Sequence, residues 1–374
     1  MKADADIAVV GAGVVGLATA VELQRAGHSV VVLERNPQPG QEQSTHNSGV
    51  VHSGAFVRPG TLRARLCVEG NALIRRRAER GDFRIRVTGT LAVALSQPQK
   101  AKVDQYADWG RANGVPGVQL LDTAEVRKFE PEIAPTVGGL LLPTGARVDA
   151  AGFVRALALE AAALGAGIRT GWSLVAAGWA SQAWTLGSSE GESLRVRAVV
   201  NAAGVESAMV ADLLGVPGYR IYPCLGEYAR VLGARRSTIR SMVYSIPSPG
   251  YPGIGVHLTR TVDDQLILGP TARYLETPAP PPGPITTLEE FAAEGAALLP
   301  GLRADELEVW PSGVRAKPVP PGSTDAFGDF TVDQRPPGRH VVQLVGIESP
   351  GLTASLALAR YVSTLPALTG LGRG

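Results

Sequence analysis

Three glycines near the start of the chain have a spacing that is typical of dinucleotide binding. Gly11, Gly13 and Gly16 follow a short apolar run, 7–10, and open an apolar-rich stretch. In this pattern the first glycine permits a tight turn, the second lets the backbone approach a pyrophosphate, and the third allows close helix packing. Glu34 ends the next apolar run, where an acid accepts hydrogen bonds from the adenosine ribose. The spacing predicts a dinucleotide site at a helix N-terminus, which attracts phosphate charge.

Two further segments favour FAD over NAD as the dinucleotide. AVVNAAG ends at Gly204, and VGIESPGLTASLA follows at 345–357. Each is a predicted strand that runs into a turn of small residues, so the backbone can pass close to a ligand. A final helix that points its N-terminus at a flavin would stabilise the negative charge of the reduced ring. A turn packed only for space remains an alternative for either segment alone. The sequence has no second G-x-G-x-x-G between a strand and a helix, so we predict one dinucleotide site.

The chain contains few residues that could hold a metal or a cluster. It has five histidines and no HExxH spacing, so we predict no metal site. Its two cysteines, Cys67 and Cys224, are too few for an iron–sulfur cluster or a disulfide framework. His28 and His340 stand beside predicted strands, and we expect both to be surface residues.

Predicted strands and helices must position these residues. Predicted strands occupy 7–10, 29–34, 89–95, 195–200 and 341–346, and predicted helices occupy 14–26, 102–113, 150–164, about 288–299 and a final segment that starts near 349–353. GVHLT and QLILG form a predicted hairpin around Asp263 and Asp264. Five prolines between 278 and 284 predict a loop.

We predict an α/β fold, α+β overall, with two discontinuous domains. A Rossmann-like FAD-binding domain would take residues 1–82, 146–218 and 314–374. An inserted domain with an antiparallel sheet would bind the substrate through residues 83–145 and 219–313. The length of 374 residues with 45% hydrophobic residues is compatible with two cores.

Charge and hydropathy exclude several classes of protein. Lys and Arg number 36 against 34 Asp and Glu, without a long run of one sign, which argues against a nucleic-acid partner. No apolar stretch approaches about 18 residues, so we predict no membrane span. Asp4 and Asp6 precede the first apolar segment and glycines interrupt it, unlike a signal peptide. We expect a cytoplasmic protein, with contact at a membrane surface as the alternative if a quinone accepts its electrons.

Six segments carry a resemblance to a known family. They are THNSGVVHSG at 45–54, PGTLRARLCVEG at 59–70, GEY at 226–228, YPGIGVHLT at 251–259, LGP at 268–270 and SGVRAK at 312–317. With them, the chain resembles the D-amino-acid-oxidase-like superfamily of FAD-dependent oxidoreductases, and within it is similar to the L-2-hydroxyglutarate dehydrogenase/oxidase family. HNSGVVHSG and GVHLT are specific to this subgroup, whereas GAGVVG and NAAG mark only the superfamily. The resemblance covers nearly the whole chain.

The resemblance implies a cofactor site and two catalytic histidines. It implies that 44–49 wraps the flavin and that His52 and His257 lie near flavin and substrate, where neutral imidazole suits removal of a hydroxyl proton. His46 is expected to contact the flavin rather than act as a base. The predicted FAD contacts are Gly11, Gly13, Val14, Val15, Gly16, Glu34, Arg35, Ser44, Thr45, His46, Asn47, Ser48, Gly49, Leu174, Ala202, Ala203, Gly204, Gly346, Ser349, Pro350, Gly351, Leu352 and Thr353.

The expected reaction is oxidation of a 2-hydroxy acid to the 2-oxo acid by hydride transfer to flavin N5. L-2-hydroxyglutarate, giving 2-oxoglutarate, is the best single guess. The substrate carboxylate calls for a bidentate cation, for which Arg315 is the best candidate, with an ion pair as its alternative role. Tyr228 and Tyr244 could add hydroxyl contacts, although buried tyrosines at strand ends are as common.

Three departures from the family pattern keep other substrates open. Phe56 and Val57 stand where the family typically has two tyrosines, Leu225 stands where it has a basic residue, and the segment between LGP and SGVRAK is short. The alternatives are a glycerol-3-phosphate dehydrogenase-like enzyme, an amine or amino-acid oxidase, and a non-catalytic flavin-binding subunit. The electron acceptor (dioxygen, a quinone or a partner protein), the oligomeric state and covalent attachment of FAD are not fixed by the sequence.

Overall fold

A computed structural model describes residues 3–247, 255–325 and 327–371. Its strands, in chain order, are β1 (Ala5–Val10), β2 (Val30–Leu33), β3 (Val50–Val51), β4 (Ile85–Val87), β5 (Thr90–Ala94), β6 (Gln119–Leu121), β7 (Gly138–Leu142), β8 (Ala146–Val148), β9 (Gly167–Arg169), β10 (Leu174–Ala180), β11 (Ala183–Ser188), β12 (Ser193–Asn201), β13 (Tyr222–Val231), β14 (Met242–Ser245), β15 (His257–Arg260), β16 (Leu266–Gly269), β17 (Arg273–Tyr274), β18 (Leu307–Lys317), β19 (Thr331–Asp333) and β20 (Val341–Val345).

The α-helices of the described residues pack against these strands. They are α1 (Val14–Arg25), α2 (Leu62–Ala78), α3 (Gln97–Ala112), α4 (Thr123–Phe129), α5 (Ala150–Ala163), α6 (Ser207–Leu213), α7 (Leu288–Gly295), α8 (Gly351–Ser363) and α9 (Pro366–Thr369). A search of the described helices finds none with the length and apolar character that a membrane crossing requires.

The first sheet has a parallel centre that places the ends of several strands side by side. Strands β9, β2, β1, β12 and β20 are parallel neighbours in that order, with Val9 opposite Val200. Their nearly continuous valine and alanine runs are typical of strands that are covered on both faces. One apolar core forms where α1, α5 and α8 cover one face, and a second lies on the other face beside α6. This arrangement confirms the predicted Rossmann-like sheet.

The second sheet is largely antiparallel, as predicted. Its nine described strands include β13, which pairs with both β16 and β18, and the predicted β15–β16 hairpin, in which Leu258 lies opposite Leu268. The one parallel pair in the described part joins β14 to β5. The tight turn of the hairpin uses a positive φ of 58° at Asp264, a conformation that aspartate tolerates better than most residues. The sheet carries His257 at the start of β15 and Arg315 near the end of β18.

Most predicted elements are confirmed, with small shifts at their ends. The helices predicted as first and final are α1 and α8, with the short α9 after them, and the helix predicted at 102–113 starts earlier, at Gln97. The helix predicted at about 288–299 ends at Gly295. The proline segment has no helix or strand, and the buried Glu227 carboxylate anchors its end by accepting a hydrogen bond of 2.7 Å from the Ile285 amide. Helix α2 was not among the predicted elements.

A small third sheet connects the segments that were assigned to different domains. Strand β8 pairs with both β3 and β4, and β4 lies in a segment predicted for the substrate domain. Strand β18 is continuous across the predicted boundary at 313/314. The division into two domains stays a prediction. The first four residues of the segment at 251–259, and the chain ends 1–2 and 372–374, lie outside the described residues.

Candidate functional site

A cavity of about 560 Å³ brings together most of the residues to which the sequence analysis gave a chemical role. Its wall includes the β1–α1 turn, residues 40–44 and 46–48, the turn after β12, parts of β13 and β18, and the start of α8. The volume lies within the range of about 300–1,000 Å³ that is usual for ligand sites. Both large sheets contribute residues to the wall, so the cavity is a product of the whole fold.

The glycines of the first turn leave room at one end of this cavity. Gly11 has a φ of +103°, and a Cβ atom there would lie 2.6 Å from the carbonyl oxygen of Ala202. A Cβ at Gly13 would lie 2.9 Å from Ser44 Oγ. Gly16 does not face the cavity; a Cβ there would lie 1.9 Å from the carbonyl oxygen of Gly11, so Gly16 permits the helix to pack on the strand. The tight turn at Gly11 and the close packing at Gly16 are as the spacing predicted, and the approach of Gly13 to a pyrophosphate stays a prediction.

Glu34 is buried at the end of β2 and shapes the same turn. One carboxylate oxygen accepts a hydrogen bond of 2.8 Å from the Ala12 amide, and the other accepts one of 2.9 Å from the Asn36 amide. Each carboxylate oxygen can accept more than one hydrogen bond. Glu34 lines the cavity and so retains acceptor capacity toward a ligand hydroxyl.

Two helix N-termini open onto the cavity. Helix α1 has no acidic residue in its first turn, and α8 begins at Gly351 without a side-chain cap. Gly13, Val14, Gly351 and Leu352 all line the cavity. Backbone amides at helix N-termini favour anionic groups. The cradle of small residues, the acid at Glu34 and the two N-termini therefore fit an FAD molecule, whose pyrophosphate and reduced ring both carry negative charge.

The segment 44–49 is held in its conformation by its own polar groups. Asn47 donates hydrogen bonds to the carbonyls of Gln43 and Ser44, and its Oδ1 accepts from the Gly49 amide. Strand β18 touches this segment so closely that a Cβ at Gly313 would lie 2.1 Å from the His46 carbonyl oxygen. The segment is thus positioned against the second sheet, with Ser44, His46, Asn47 and Ser48 lining the cavity.

The predicted FAD contacts that do not line the cavity surround it. Thr45 donates to the Gly40 carbonyl, Gly49 accepts a hydrogen bond from the Val148 amide, and Gly346 has a φ of +70°. Thr353 is fully buried, and its Oγ1 accepts a hydrogen bond of 3.0 Å from the His52 amide. These four residues and Gly16 position neighbours. The contact of the whole set with FAD stays a prediction.

His257 is the imidazole best placed to accept a proton. Its Nδ1 lies 3.0 Å from the Gly255 carbonyl oxygen, so this nitrogen carries the hydrogen and donates it. Nε2 then holds a lone pair, and it has no hydrogen-bond partner among the described residues. Burial, opposed by the Gly255 hydrogen bond and assisted by the Arg315 charge, lowers the pKa of His257 to about 4. The ring is therefore neutral at pH 7.

His52 lies at the same end of the cavity. Its Nε2 is 3.4 Å from Ser349 Oγ, and its backbone carbonyl accepts a hydrogen bond of 3.1 Å from Asn71. Burial, together with the nearby His257 and Arg63, lowers the pKa of His52 to about 3. His52 is thus also neutral at pH 7, although one of its ring nitrogens already has a hydroxyl neighbour.

Arg315 and Tyr228 line the cavity beside His257, as the sequence analysis expected of substrate contacts. Arg315 lies on β18 opposite Cys224, and its guanidinium donates to the carbonyls of Thr271 and Leu225. These two bonds fix the guanidinium plane. Gly226 packs closely here, because a Cβ there would lie 3.1 Å from Pro270 Cβ and 3.4 Å from Arg315 Nη2.

Tyr244 is placed differently from the expectation. It does not line the cavity but lies behind His257, with ring centroids 4.0 Å apart, and it stacks on Phe56 at 5.5 Å. Both rings lie in an apolar cluster with Tyr106 and Trp109. Burial, with a contribution from Tyr228, raises the pKa of Tyr244 above its ordinary range. Tyr244 thus buttresses the His257 ring.

The sequence analysis missed a buried ionic cluster next to the cavity. Glu348 lines the cavity wall, and its Oε1 lies 3.3 Å from Lys317 Nζ and 3.7 Å from Arg63 Nη2. Phe327 also lines the wall, and both cations lie over its ring. A carboxylate inside an otherwise apolar strand-to-helix turn could have pointed to Glu348, whereas no local pattern marks Phe327. Lys317 and Arg63 are distant in sequence from Glu348, so the cluster is visible only in the fold.

Comparisons with known proteins match this site and fold. The model of the family described as FAD dependent oxidoreductase, DAO, matches residues 6–365. The L-2-hydroxyglutarate dehydrogenase of Salmonella houtenae is 28% identical over 400 residues, which cover 97% of this chain and 93% of that protein. The human mitochondrial L-2-hydroxyglutarate dehydrogenase is 30% identical over 281 residues, which cover 71% of this chain and 60% of that protein.

Solved structures agree with the fold. The L-alpha-glycerophosphate oxidase of Mycoplasma pneumoniae, with FAD bound, superposes with a TM-score of 0.86 at 25% identity, covering 99% of this chain and 95% of the other. The glycine oxidase of Geobacillus kaustophilus reaches 0.82 at 21% identity with the same coverage, a likeness of fold alone. Since the family model covers nearly all of the chain and the cavity fits the cofactor, this protein belongs to the DAO family of FAD-dependent oxidoreductases.

Proposed function

We propose that this flavoenzyme oxidises a 2-hydroxy acid to the corresponding 2-oxo acid. The proposal rests on one observation, that His257 and Arg315 both line one end of the cavity. A neutral imidazole with an open lone pair and a fixed guanidinium are the two groups that a 2-hydroxy acid requires. Relatives that cover most of the chain are named L-2-hydroxyglutarate dehydrogenase, which makes L-2-hydroxyglutarate the first donor to test.

The side chains divide the work of the reaction between them. Arg315 binds the substrate carboxylate and so orients C2. His257 Nε2 accepts the hydroxyl proton as the C2 hydrogen leaves with its electron pair, and the C–O single bond becomes a carbonyl. Bound FAD supplies the acceptor for that hydride. The Gly255 carbonyl holds the imidazole in the tautomer that leaves Nε2 unprotonated, and the Tyr244 ring packs against the imidazole ring.

The number of cations that line the cavity affects which substrate it can bind. Two arginines line it among the described residues, and one of them, Arg35, is paired with Glu42 and Glu206. Arg315 is therefore the described cation that lines the catalytic end, and it can pair with one carboxylate. The two cations of the neighbouring cluster, Arg63 and Lys317, lie behind the wall and are paired with Glu348. L-2-hydroxyglutarate has two carboxylates, and Leu225 offers no charge to the second.

This single cation favours a second candidate, oxidation of an amino acid with one carboxylate. The same two groups would serve it, since Arg315 would bind the carboxylate and His257 Nε2 would accept a proton from the ammonium group. The likeness to glycine oxidase concerns the fold and does not decide between the donors. The donors differ in the proton that His257 must remove, so they can be separated by direct reduction experiments.

The test is an anaerobic absorbance spectrum of the purified holoenzyme before and after addition of one donor. L-2-hydroxyglutarate, L-lactate, glycerol 3-phosphate, glycine and sarcosine would be compared at equal concentration. We expect loss of the oxidised flavin band with a 2-hydroxy acid and not with the amines. Bleaching by an amine alone would establish the second candidate, and bleaching by none of the donors would favour a non-catalytic flavin-binding subunit.

We further propose that the protein acts in the cytoplasm, with dioxygen, a quinone or a partner protein as electron acceptor.

A further inference from the structure

A second cavity, of about 320 Å³, has arginines as half of its lining residues and shares no lining residue with the FAD site. It lies where the C-terminal halves of α1, α2 and α8 meet, since α1 and α2 both pack against α8. Ala18, Val21, Leu73 and Leu356 give it an apolar floor. Five guanidinium groups line it, those of Arg25, Arg76, Arg77, Arg80 and Arg360. We call it the arginine cavity.

Carboxylates compensate part of this charge. Glu160 on α5 pairs with Arg25, Arg77 and Arg80, the last at 3.2 Å. Burial opposes the ionisation of Glu160, but hydrogen bonds and charges from these arginines outweigh it and hold its pKa below the ordinary value. Glu22 pairs with Arg25 at 2.7 Å. Three of the five arginines are therefore fixed in place by ion pairs.

Two arginines of the cavity have no such compensation. Arg76 and Arg360 are exposed, and within the described residues neither has a carboxylate oxygen within 4.0 Å. Five guanidinium groups face three carboxylates, those of Glu22, Glu160 and the Asp82 that pairs with Arg77. Two positive charges are left over in one small space.

The helix dipole accounts for only part of this arrangement. Basic side chains in the last turn of a helix are stabilised by its partial negative charge, and α1, α2 and α8 each have arginine in the last turn. Side chains directed apart into solvent would satisfy that requirement equally well. Arg25, Arg77 and Arg80 gather around the Glu160 carboxylate. Arg76 and Arg360 line the same cavity without a carboxylate between them, and like charges repel unless an anion lies between them.

We propose that the arginine cavity binds a phosphate-bearing anion. A phosphate group carries about −1.5 to −2 charges at neutral pH, which matches the two uncompensated guanidinium groups. The planar donors of Arg76 and Arg360 can each hold two phosphate oxygens. The cavity volume is at the lower end of ligand sites, so it admits a phosphate with a small attached group. A soluble phosphate ester and a lipid headgroup share this chemistry.

The test is calorimetric titration of the holoenzyme with inorganic phosphate at constant ionic strength, which removes general screening as a cause. The double variant Arg76→Gln, Arg360→Gln is compared with Arg127→Gln, Arg236→Gln, which loses the same charge at exposed arginines outside the cavity. We expect saturable binding that the first variant weakens by about 10-fold or more and the control leaves unchanged. The flavin spectrum, which reports the FAD site, stays constant throughout.

Vesicles separate the two sources of the ligand. Sedimentation with phosphatidylcholine vesicles that contain phosphatidic acid, whose headgroup is a phosphate monoester, is measured for the same proteins, with pure phosphatidylcholine vesicles as the neutral reference. Binding to the anionic vesicles that is lost in Arg76→Gln, Arg360→Gln, without binding of free phosphate, identifies a lipid headgroup. Binding of free phosphate alone identifies a soluble ligand. Failure of both probes, or equal loss in both double variants, would overturn the proposal.

Discussion

At the scale of single residues, the site depends on which nitrogen of His257 carries a hydrogen. The Gly255 carbonyl can only accept, so Nδ1 must donate and Nε2 is left with a lone pair. Arg315 contributes through its fixed plane as well as its charge, because the carbonyls of Thr271 and Leu225 hold it. The tautomer of His257 and the fixed plane of Arg315 each lead to one expectation.

The first concerns pH. Because burial lowers the pKa of His257 to about 4, its imidazole is neutral above that value and is protonated, and so inactive as a base, below it. We expect kcat/KM for the donor to fall as the pH decreases through about 4, and to show no loss near 6.5, where a solvent-exposed histidine would titrate. The pH profile of anaerobic flavin reduction at low donor concentration measures this, and an acid limb near 6.5 would contradict it.

The second concerns Arg315→Lys. The lysine keeps the charge but loses the paired donors, so we expect kcat/KM for carboxylate donors to fall by about 10- to 100-fold, equivalent to about 1.5–3 kcal/mol. Steady-state kinetics would measure this loss, with the exposed Arg236→Lys as the matched control. An unchanged kcat/KM in Arg315→Lys would remove Arg315 from substrate binding.

The residues that the sequence could predict are those with a local pattern. Short sequence motifs contain the fingerprint glycines, Glu34 and His257, and the residue types in each motif indicate its chemistry. Tyr244 shows what a local pattern cannot predict. Its position on β14 indicated that it lies near the site, but only the packing of the fold determines that its ring lies behind His257. The Glu348 cluster depends on residues from three distant segments, so no local pattern could reveal it.

At the scale of elements, the crossing of α2 and α8 supports the catalytic end of the cavity. Asn71 on α2 holds the His52 carbonyl, while Thr353 on α8 holds the His52 amide. The helices approach closely at Gly70, where a Cβ would lie 2.1 Å from the Thr353 carbonyl oxygen. Helix α2 was not predicted from the sequence, and its contact with α8 became evident only from the fold.

We therefore expect Gly70→Ala to destabilise the protein by about 1–3 kcal/mol through overpacking. Gly178→Ala is the matched control, since a Cβ at Gly178 on β10 meets no atom within 4 Å. The midpoints of urea unfolding of the two holoproteins give the comparison. Equal midpoints would show that the helices can separate without cost.

At the scale of the whole molecule, the FAD cavity is shared by both large sheets. Its dinucleotide end belongs to the parallel sheet and its catalytic end to the antiparallel sheet. The alternation of elements was sufficient to predict both sheets. It was not sufficient to predict the third sheet or the continuous β18, because these depend on pairings between distant segments.

Because one ligand site joins the two sheets, we expect FAD to stabilise the molecule against heat. Saturation at about 100 times the Kd adds about 2.7 kcal/mol to the free energy of unfolding of a protein that binds the ligand only when folded. Thermal unfolding of the apoprotein with and without FAD measures the effect, with NAD at the same concentration as the control. An equal shift with NAD, or none with FAD, would contradict the assignment of the cavity.

The central claim is that His257 removes the substrate proton while flavin is reduced. The most direct measurement is the rate of anaerobic flavin reduction by the active donor in His257→Gln holoenzyme, with His28→Gln as the control. We expect the rate to fall by about 10²- to 10⁴-fold in His257→Gln, with the flavin still bound, and to be unchanged in His28→Gln. A rate in His257→Gln close to that of the unmodified enzyme would show that another group takes the proton.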